Sequence, residues 1–248
     1  MYYYLVSIYL ALVFIIASLI FFPIAVILRM TTIWFDRRLT LLHIISSIWA
    51  SSFTWLSPIW SVTITGRENV DRKKAYVMVC NHQSMLDIPI IYRIFLHFKW
   101  VSKASLFKVP VIGWNLWLNQ HIKLVRGSMK SQREMLRRCA ETIQRGSSIM
   151  IFPEGTRSHT GELGAFKEGA FLIAMQQKTD IVPIVLDGSA KALPEKGIFL
   201  QKKQDFVVHI LPPVPYEIIK DMGVRKTSEH IRGIIADELA RIRKNQKV

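Results

Sequence analysis

Cysteine and acidic side chains are both scarce in this sequence, and each scarcity removes a set of functions. Two cysteines, Cys80 and Cys139, cannot supply a disulfide framework or zinc-type spacing, and each sits in an apolar or helical context. That usage fits a reducing, cytoplasmic-side location. Acidic residues number 18 against 33 lysines and arginines, a formal net charge of +15, and they are too scattered to hold a metal. No resident cofactor is implied. The excess positive charge predicts attraction to something anionic: nucleic acid, anionic lipid or an acidic carrier. Also missing are internal repeats, low-complexity linkers and a Gly-x-Ser-x-Gly nucleophile elbow, since the Gly-Ser pairs at Gly127, Gly146 and Gly188 lack its pattern.

The most local absence is of charge at the N-terminus. Met1 to Leu28 carries no charged side chain, and as a helix it would be about 40 Å long, enough to span a bilayer core. A cleaved signal peptide would carry a basic leading region and a small-residue cleavage site, and neither is evident, so the segment is expected to be retained. A second uncharged stretch, Leu39 to Gly66, follows the linker Arg29–Arg38. His43, Ser47, Ser51, Thr54 and Pro58 recur along it at three- and four-residue steps among Trp49, Trp55 and Trp60, which reads as an interfacial or hairpin helix. If both segments crossed, Arg29, Arg37 and Arg38 would favour the cytoplasm and place the basic domain outside. A hairpin dipping into one leaflet resolves the conflict, as does a single span with the second helix on the surface; we favour the hairpin. Covering the domain's core is a further reading for the second helix. Residues 1–66 are thus expected to form a hydrophobic two-helix membrane motif and residues 67–248 a separate domain.

Beyond Gly66 the pattern changes to short apolar runs separated by helical stretches. Ala75–Cys80, Ile149–Phe152, Ile181–Leu186 and Phe206–Leu211 read as strands, and Ser128–Arg145, ended by Gly146, as an amphipathic helix. Ser228–Lys244 is another, basic enough to rest on an anionic membrane surface. The alternation predicts an α/β fold with a mostly parallel central sheet covered by helices. Most of the cations from Lys123 to Arg138 belong to the solvated face of a helix, and Arg126, which precedes it, is the site candidate.

Two polar motifs stand out against this apolar background. Asn81-His82-Gln83-Ser84-Met85-Leu86-Asp87 leaves the first strand, so His82 lies at a strand's C-terminal end, a usual place for ligands in α/β sheets. Five residues separate His82 from Asp87, so the two meet only if the chain turns between them. The competing reading is a capping box with Ser84, against which Pro89 weighs because it would fall where an amide donor is wanted. The second motif, Phe152-Pro153-Glu154-Gly155-Thr156-Arg157-Ser158, also follows a strand. Gly155 permits close backbone approach, Thr156 and Ser158 offer hydroxyls, and the Arg157 guanidinium matches phosphate oxygens. Glu154 reads as structural or orienting. Lys167, in Phe166-Lys167-Glu168-Gly169, is a weaker site candidate that reads equally well as a surface lysine at a helix start. His43, His97, His121, His159, His209 and His230 have no partner at a recognisable spacing and read as structural or solvated. Trp114 and Trp117 could dip into lipid or pack in the core.

Residues 75–190 resemble the glycerolipid acyltransferase superfamily, and most closely the 1-acylglycerol-3-phosphate acyltransferases, which make phosphatidic acid from lysophosphatidic acid. Four blocks carry the resemblance in order: His82 to Asp87, the basic block around Lys103 and Ile122-Lys123-Leu124-Val125-Arg126, Pro153 to Arg157, and Val182-Pro183-Ile184. The resemblance implies His82 as general base on the lysolipid's 2-hydroxyl, Asp87 holding the imidazole, and direct attack on an acyl thioester without an acyl-enzyme. It implies Arg157, Arg126 and Lys103 as the phosphate grip, with Asn81, Glu154, Gly155 and Thr156 in support. Oxyanion donors are expected among backbone amides near the first and third blocks. The co-substrate would be acyl-CoA or acyl-acyl-carrier-protein, with no cofactor and no metal. An anionic phospholipid membrane is the expected surface, with the catalytic domain on its cytoplasmic face, the plasma membrane in a bacterium. Glycerol-3-phosphate, dihydroxyacetone phosphate and larger lysophospholipids are the rival acceptors, and a non-catalytic basic lipid-binding protein is the rival class. Nucleic acid is not an expected partner, because charge alone supports it.

Overall fold

The computed structural model describes residues 1–158, 160–190, 192–193, 200 and 203–245. The chain opens with two helices, α1 (Tyr2–Thr32) and α2 (Thr40–Trp55). Strand β1 (Trp60–Thr65), β2 (Val77–Cys80), helix α3 (Asp87–Tyr92), β3 (Phe98–Lys103), α4 (Ile112–Leu118) and β4 (Ile122–Leu124) come next. Helix α5 (Met129–Gln144), β5 (Ser148–Ile151), α6 (Gly169–Gln176), β6 (Ile181–Asp187), β7 (Gln204–Ile210), α7 (Tyr216–Ile219) and α8 (Val224–Asn245) complete the order. The strands form one sheet in the order β1-β7-β6-β2-β5-β3-β4, parallel except for the antiparallel pair β6–β7. The expected α/β architecture with a mostly parallel sheet is therefore present.

Strand periodicity assigns the two faces. In β2, Val77 and Val79 point to one apolar cluster, with Met135, Cys139 and Ile143 of α5, Phe171 of α6 and Ile231, Ile235 and Leu239 of α8. Met78 and Cys80 point to the other, with Tyr92, Phe98, Trp100, Ile184 and Phe206, which α1 joins through Val6 and Leu10. Burial of both faces explains why the central strands read as continuous apolar runs. Helix α5 starts where the Ser128 side chain accepts from the Ser131 amide, 3.2 Å. It ends at Gly146, whose φ of +77° lets its amide reach Ile143 O and the Ser147 amide reach Thr142 O. The apolar stripe of α8 is spent on the sheet, on the face opposite α1, and so is not offered to a membrane surface.

The uncharged run Leu39–Gly66 corrects the expectation of one helix across it. Helix α2 ends at Trp55, and Trp60–Thr65 instead forms the edge strand β1, in parallel register with Gln204–His209. The strand's burial alternates (Trp60 in, Ser61 out), a period-2 pattern that the uniform lack of charge hides. The sheet therefore begins on the N-terminal side of the residue-66 boundary.

The polar stripe of α2 faces inward. His43, Ser46, Ser47, Ser51 and Thr54 are buried, whereas Leu41, Ile44, Trp55 and Leu56 are exposed. Two of the inward groups find partners in the domain: His43 Nε2 lies 2.9 Å from Leu96 O, and Asn119 Nδ2 donates to Ser46 Oγ at 2.9 Å, while Ser47 and Thr54 donate to carbonyls within α2. Helix α1 is long and apolar enough to cross a membrane by length and composition. It packs along α2 and α4 and leaves Leu5, Leu12, Ile15, Ile16, Leu19 and Ile27 on its outer side. Trp114 and Trp117, both about half exposed, extend this surface rather than filling the core. An apolar face of this extent marks an interaction surface rather than ordinary solvent-facing protein. Replacing two outer residues, Ile16→Glu with Leu19→Glu, is expected to shift the chain from sedimenting membranes to the soluble fraction. Its unfolding midpoint in detergent should stay within about 2 °C, because neither side chain is buried.

Candidate active site

Parallel β2, β5, β3 and β4 all end at the same edge of the sheet, and each ending carries one of the motifs. The Asn81–Asp87 loop follows β2, the Phe152–Ser158 loop follows β5, Lys103 closes β3 and Arg126 lies two residues past β4. From β2 to β4 is three inter-strand steps of about 4.8 Å each. One edge thus holds every site residue that the sequence nominated.

The chain does turn between His82 and Asp87. His82 Nδ1 lies 2.7 Å from Asp87 Oδ2, and the same oxygen accepts the amides of Gln83 at 2.6 Å and Ser84 at 2.9 Å. Its other oxygen accepts the Ser189 hydroxyl at 2.5 Å. Asp87 is fully buried and begins α3, so Pro89 falls in the first turn, where no amide donor is needed. Part of the capping-box reading holds too, since the Ser84 amide does reach Asp87. One carboxylate both folds the loop and holds the ring. With Nδ1 donating to it, Nε2 is left with the lone pair, the arrangement a general base needs.

The third block clamps the first. Glu154, buried, accepts the His82 amide at Oε1, 2.7 Å, and the Gly164 amide at Oε2, 2.8 Å. The Ser158 amide donates to His82 O at 2.8 Å. The Phe152 ring stacks on the imidazole, centroids 4.0 Å apart and planes 9° from parallel. Asn81 bridges to β6, donating to Leu186 O at 2.7 Å and accepting the Leu186 amide at 2.8 Å.

Gly155 adopts φ +69°, and a Cβ there would lie 2.8 Å from Lys167 Nζ. Lys167 therefore reaches the third block, where the sequence placed it only weakly. Arg157, Arg126 and Lys103 are exposed, and their side chains make no hydrogen bond or ion pair with another described residue. Thr156 is exposed beside Arg157.

Sequence reasoning missed Ser189, Gln83 and the pair Asp187–Arg243. Gln83 Nε2 donates to Asp187 Oδ1 at 3.1 Å, and Arg243 reaches Asp187 from α8. A Gly-Ser pair leaving a buried strand was the available signal for Ser189; Arg243 gave none. The cysteines are no nucleophiles: burial, with Asp87 and Glu154 adding, pushes Cys80 well up, and burial pushes Cys139 up to about 12. Four histidines have structural partners, among them His121 with Tyr92 and His209 with Glu238. His230 is exposed, and His159 lies outside the described residues. No cluster of metal-ligating side chains occurs among the described residues.

Residues 61–187 match the family model for acyltransferases. The 1-acyl-sn-glycerol-3-phosphate acyltransferase of Chlamydomonas reinhardtii is 39% identical over 175 residues, 69% of this chain and 52% of that protein. The protein of the same name from Saccharomyces cerevisiae is 36% identical over 186 residues, 73% of this chain and 60% of that one. The chain thus spans about half the length of the relatives it matches. The crystal structure of the 1-acyl-sn-glycerophosphate (LPA) acyltransferase from Thermotoga maritima superposes with a TM-score of 0.76 at 21% identity, covering 96% of both chains. At that identity the likeness carries the fold.

Glu154→Gln is expected to destabilise the protein by about 1–3 kcal/mol, read from its denaturation midpoint in detergent. One amide oxygen cannot accept both N–H groups, and the new NH₂ would face the other donor. An unchanged midpoint would show that the clamp contributes nothing to stability.

Proposed function

This chain belongs to the acyltransferase family, and from that premise we propose that it moves a fatty acyl group from an acyl thioester to the 2-hydroxyl of 1-acyl-sn-glycerol 3-phosphate. The product is phosphatidic acid. The observation that carries the reading is the His82–Asp87 pair at 2.7 Å, on the sheet edge that also bears Arg157, Arg126 and Lys103. The names of the algal and yeast relatives support the same acceptor.

In this reading His82 Nε2 takes the proton of the 2-hydroxyl as its oxygen attacks the thioester carbonyl. Asp87, anchored by Gln83, Ser84 and Ser189, holds the tautomer and stabilises the imidazolium. The tetrahedral intermediate collapses with cleavage of the C–S bond, and the departing sulfur receives the proton from His82. Phe152 keeps the ring in plane and shields one face from water. Arg157, Arg126 and Lys103 grip the acceptor phosphate, and Lys167 joins them from beside Gly155.

The amides of His82, Gln83 and Ser84 are already engaged, so they cannot serve as oxyanion donors. Those of Thr156 and Arg157 have no partner among the described residues and take that role here. The α1–α2 hairpin lies in one leaflet of an anionic phospholipid membrane, on the cytoplasmic face, bringing the sheet edge to a substrate already in the bilayer. The acyl donor is acyl-CoA or acyl-acyl-carrier-protein.

Purified protein in mixed micelles with lysophosphatidic acid and either donor, assayed for phosphatidic acid by mass spectrometry, tests this. His82→Ala should lower kcat by about 10²–10⁴-fold while the unfolding midpoint stays put. Arg157→Ala should act mainly on the acceptor KM. Turnover in His82→Ala equal to the wild type would remove the general base from the mechanism; product only from other lysolipids would change the acceptor.

A further inference from the structure

A second concentration of positive charge lies at the other end of the strands. Lys99 is the second residue of β3, four residues or about 13 Å along the strand from Lys103. Only 5% of it is exposed, and its Nζ is buried with no hydrogen-bond partner. It lines an inner cavity of about 40 Å³, where roughly 10–15 Å³ holds one water. Arg37, Arg38, Gln120 and Arg145 line this cavity and also a larger one of about 580 Å³ that Arg29 and Ile33 complete. Arg138 closes the inner one.

Two carboxylates, Asp36 in the larger cavity and Glu141 in the smaller, face these six cations, and neither forms an ion pair with any of them. Among the described residues none of the six cations makes a side-chain hydrogen bond or ion pair, and the Arg38 Nε is buried without a partner. The nearby carboxylates are committed: Asp36 accepts the Thr40 and Leu41 amides, 2.8 Å each, to start α2, and Glu141 pairs with Arg137. A buried, unpaired ammonium is costly. Burial brings Lys99 down to about 7, with Arg29 and Arg38 adding to the fall and Asp36 opposing it. An anion seated between these arginines would give the Lys99 ammonium the partner it lacks.

We propose that this double cavity binds the phosphate of an anionic glycerophospholipid headgroup, at a site separate from the catalytic edge. The surroundings single out a lipid. Ile33 lines the outer cavity, and Trp34 and Phe35 beside it are 85% and 68% exposed, continuing the apolar outer face of α1. Acyl chains would lie along that face while the phosphate reaches the arginines and Lys99. The linker between α1 and α2 is therefore a headgroup clamp as well as a connection. It holds the hairpin at a set depth.

The test is co-sedimentation of the full chain with vesicles of phosphatidylcholine alone or with added phosphatidylglycerol. Each cation near an anionic surface contributes about fivefold, so Lys99→Met combined with Arg145→Gln should cut the preference for the anionic vesicles by about 25-fold or more. Lys226→Gln combined with Lys244→Gln, two exposed charges on α8, controls for net charge and should cost no more than about fivefold. Arg145→Gln alone, at an exposed position, keeps the test valid if the double variant misfolds. A preference unchanged in both site variants overturns the proposal. The second arm follows thermal unfolding in detergent with inorganic phosphate against chloride at equal ionic strength. A midpoint that phosphate raises in wild type but not in Lys99→Met, together with the vesicle effect, supports the site. The same rise with unaltered vesicle preference assigns the cavity to a soluble anion and overturns the lipid assignment.

Discussion

One buried carboxylate organises the candidate site. Asp87 receives four donors: the His82 ring, two successive loop amides and the Ser189 hydroxyl from beyond β6. Because those donors come from two different strand endings, the carboxylate ties the β2 loop to the β6 return while it fixes the imidazole. Glu154 does the matching task from β5, taking the His82 amide on one oxygen and the Gly164 amide on the other. The histidine is thus restrained at its ring by one acid and at its backbone by another, with Phe152 against its face. Positioning of this kind is what a proton-transferring group requires.

The parallel sheet supplies the rest. Parallel strands share an orientation, so motifs 70 residues apart in sequence arrive at one edge without any special folding of the loops. The same directionality leaves the opposite edge free, and there the α1–α2 linker meets the start of β3 and the end of α5 to gather a second set of cations. The protein's net charge of +15 is accordingly not spread evenly. Much of it converges on two separate places, one at each end of the strands.

How legible this was depended on the kind of signal. Strands β2, β5 and β6 are apolar runs ending in polar loops, β7 is one stopped by Pro212 and Pro213, and their composition announced them. Helix α5 carries its own cap and stop, Ser128 and Gly146. Strand β1 was hidden because absence of charge looks the same in a membrane helix and in an edge strand beside one, and only the alternation from Trp60 onward separates them. His82, Asp87 and the third block were readable as motifs, and Lys167 half so. Ser189 and Arg243 reach the site through the tertiary fold, from positions whose sequence context is ordinary. Lys99 was unreadable for the opposite reason: a lysine in a strand is ordinarily solvent-facing, and only the depth of the fold makes this one buried.

The inverted polarity of α2 has a consequence for how the molecule is assembled. Two groups of its inward stripe, His43 and Ser46, bond to Leu96, Asn115 and Asn119, which follow it in the chain by some 50 to 70 residues. During synthesis α1 and α2 exist before those partners do, for several seconds at roughly 5–20 residues per second. In that interval His43 and Ser46 lack the partners they have in the finished fold, so α2 gains its tertiary polar contacts only when the domain forms. Docking of α2 against the rest of the chain therefore waits for the domain. The N-terminal helix pair is in this sense the last part of the structure to be finished, although it is the first to be made.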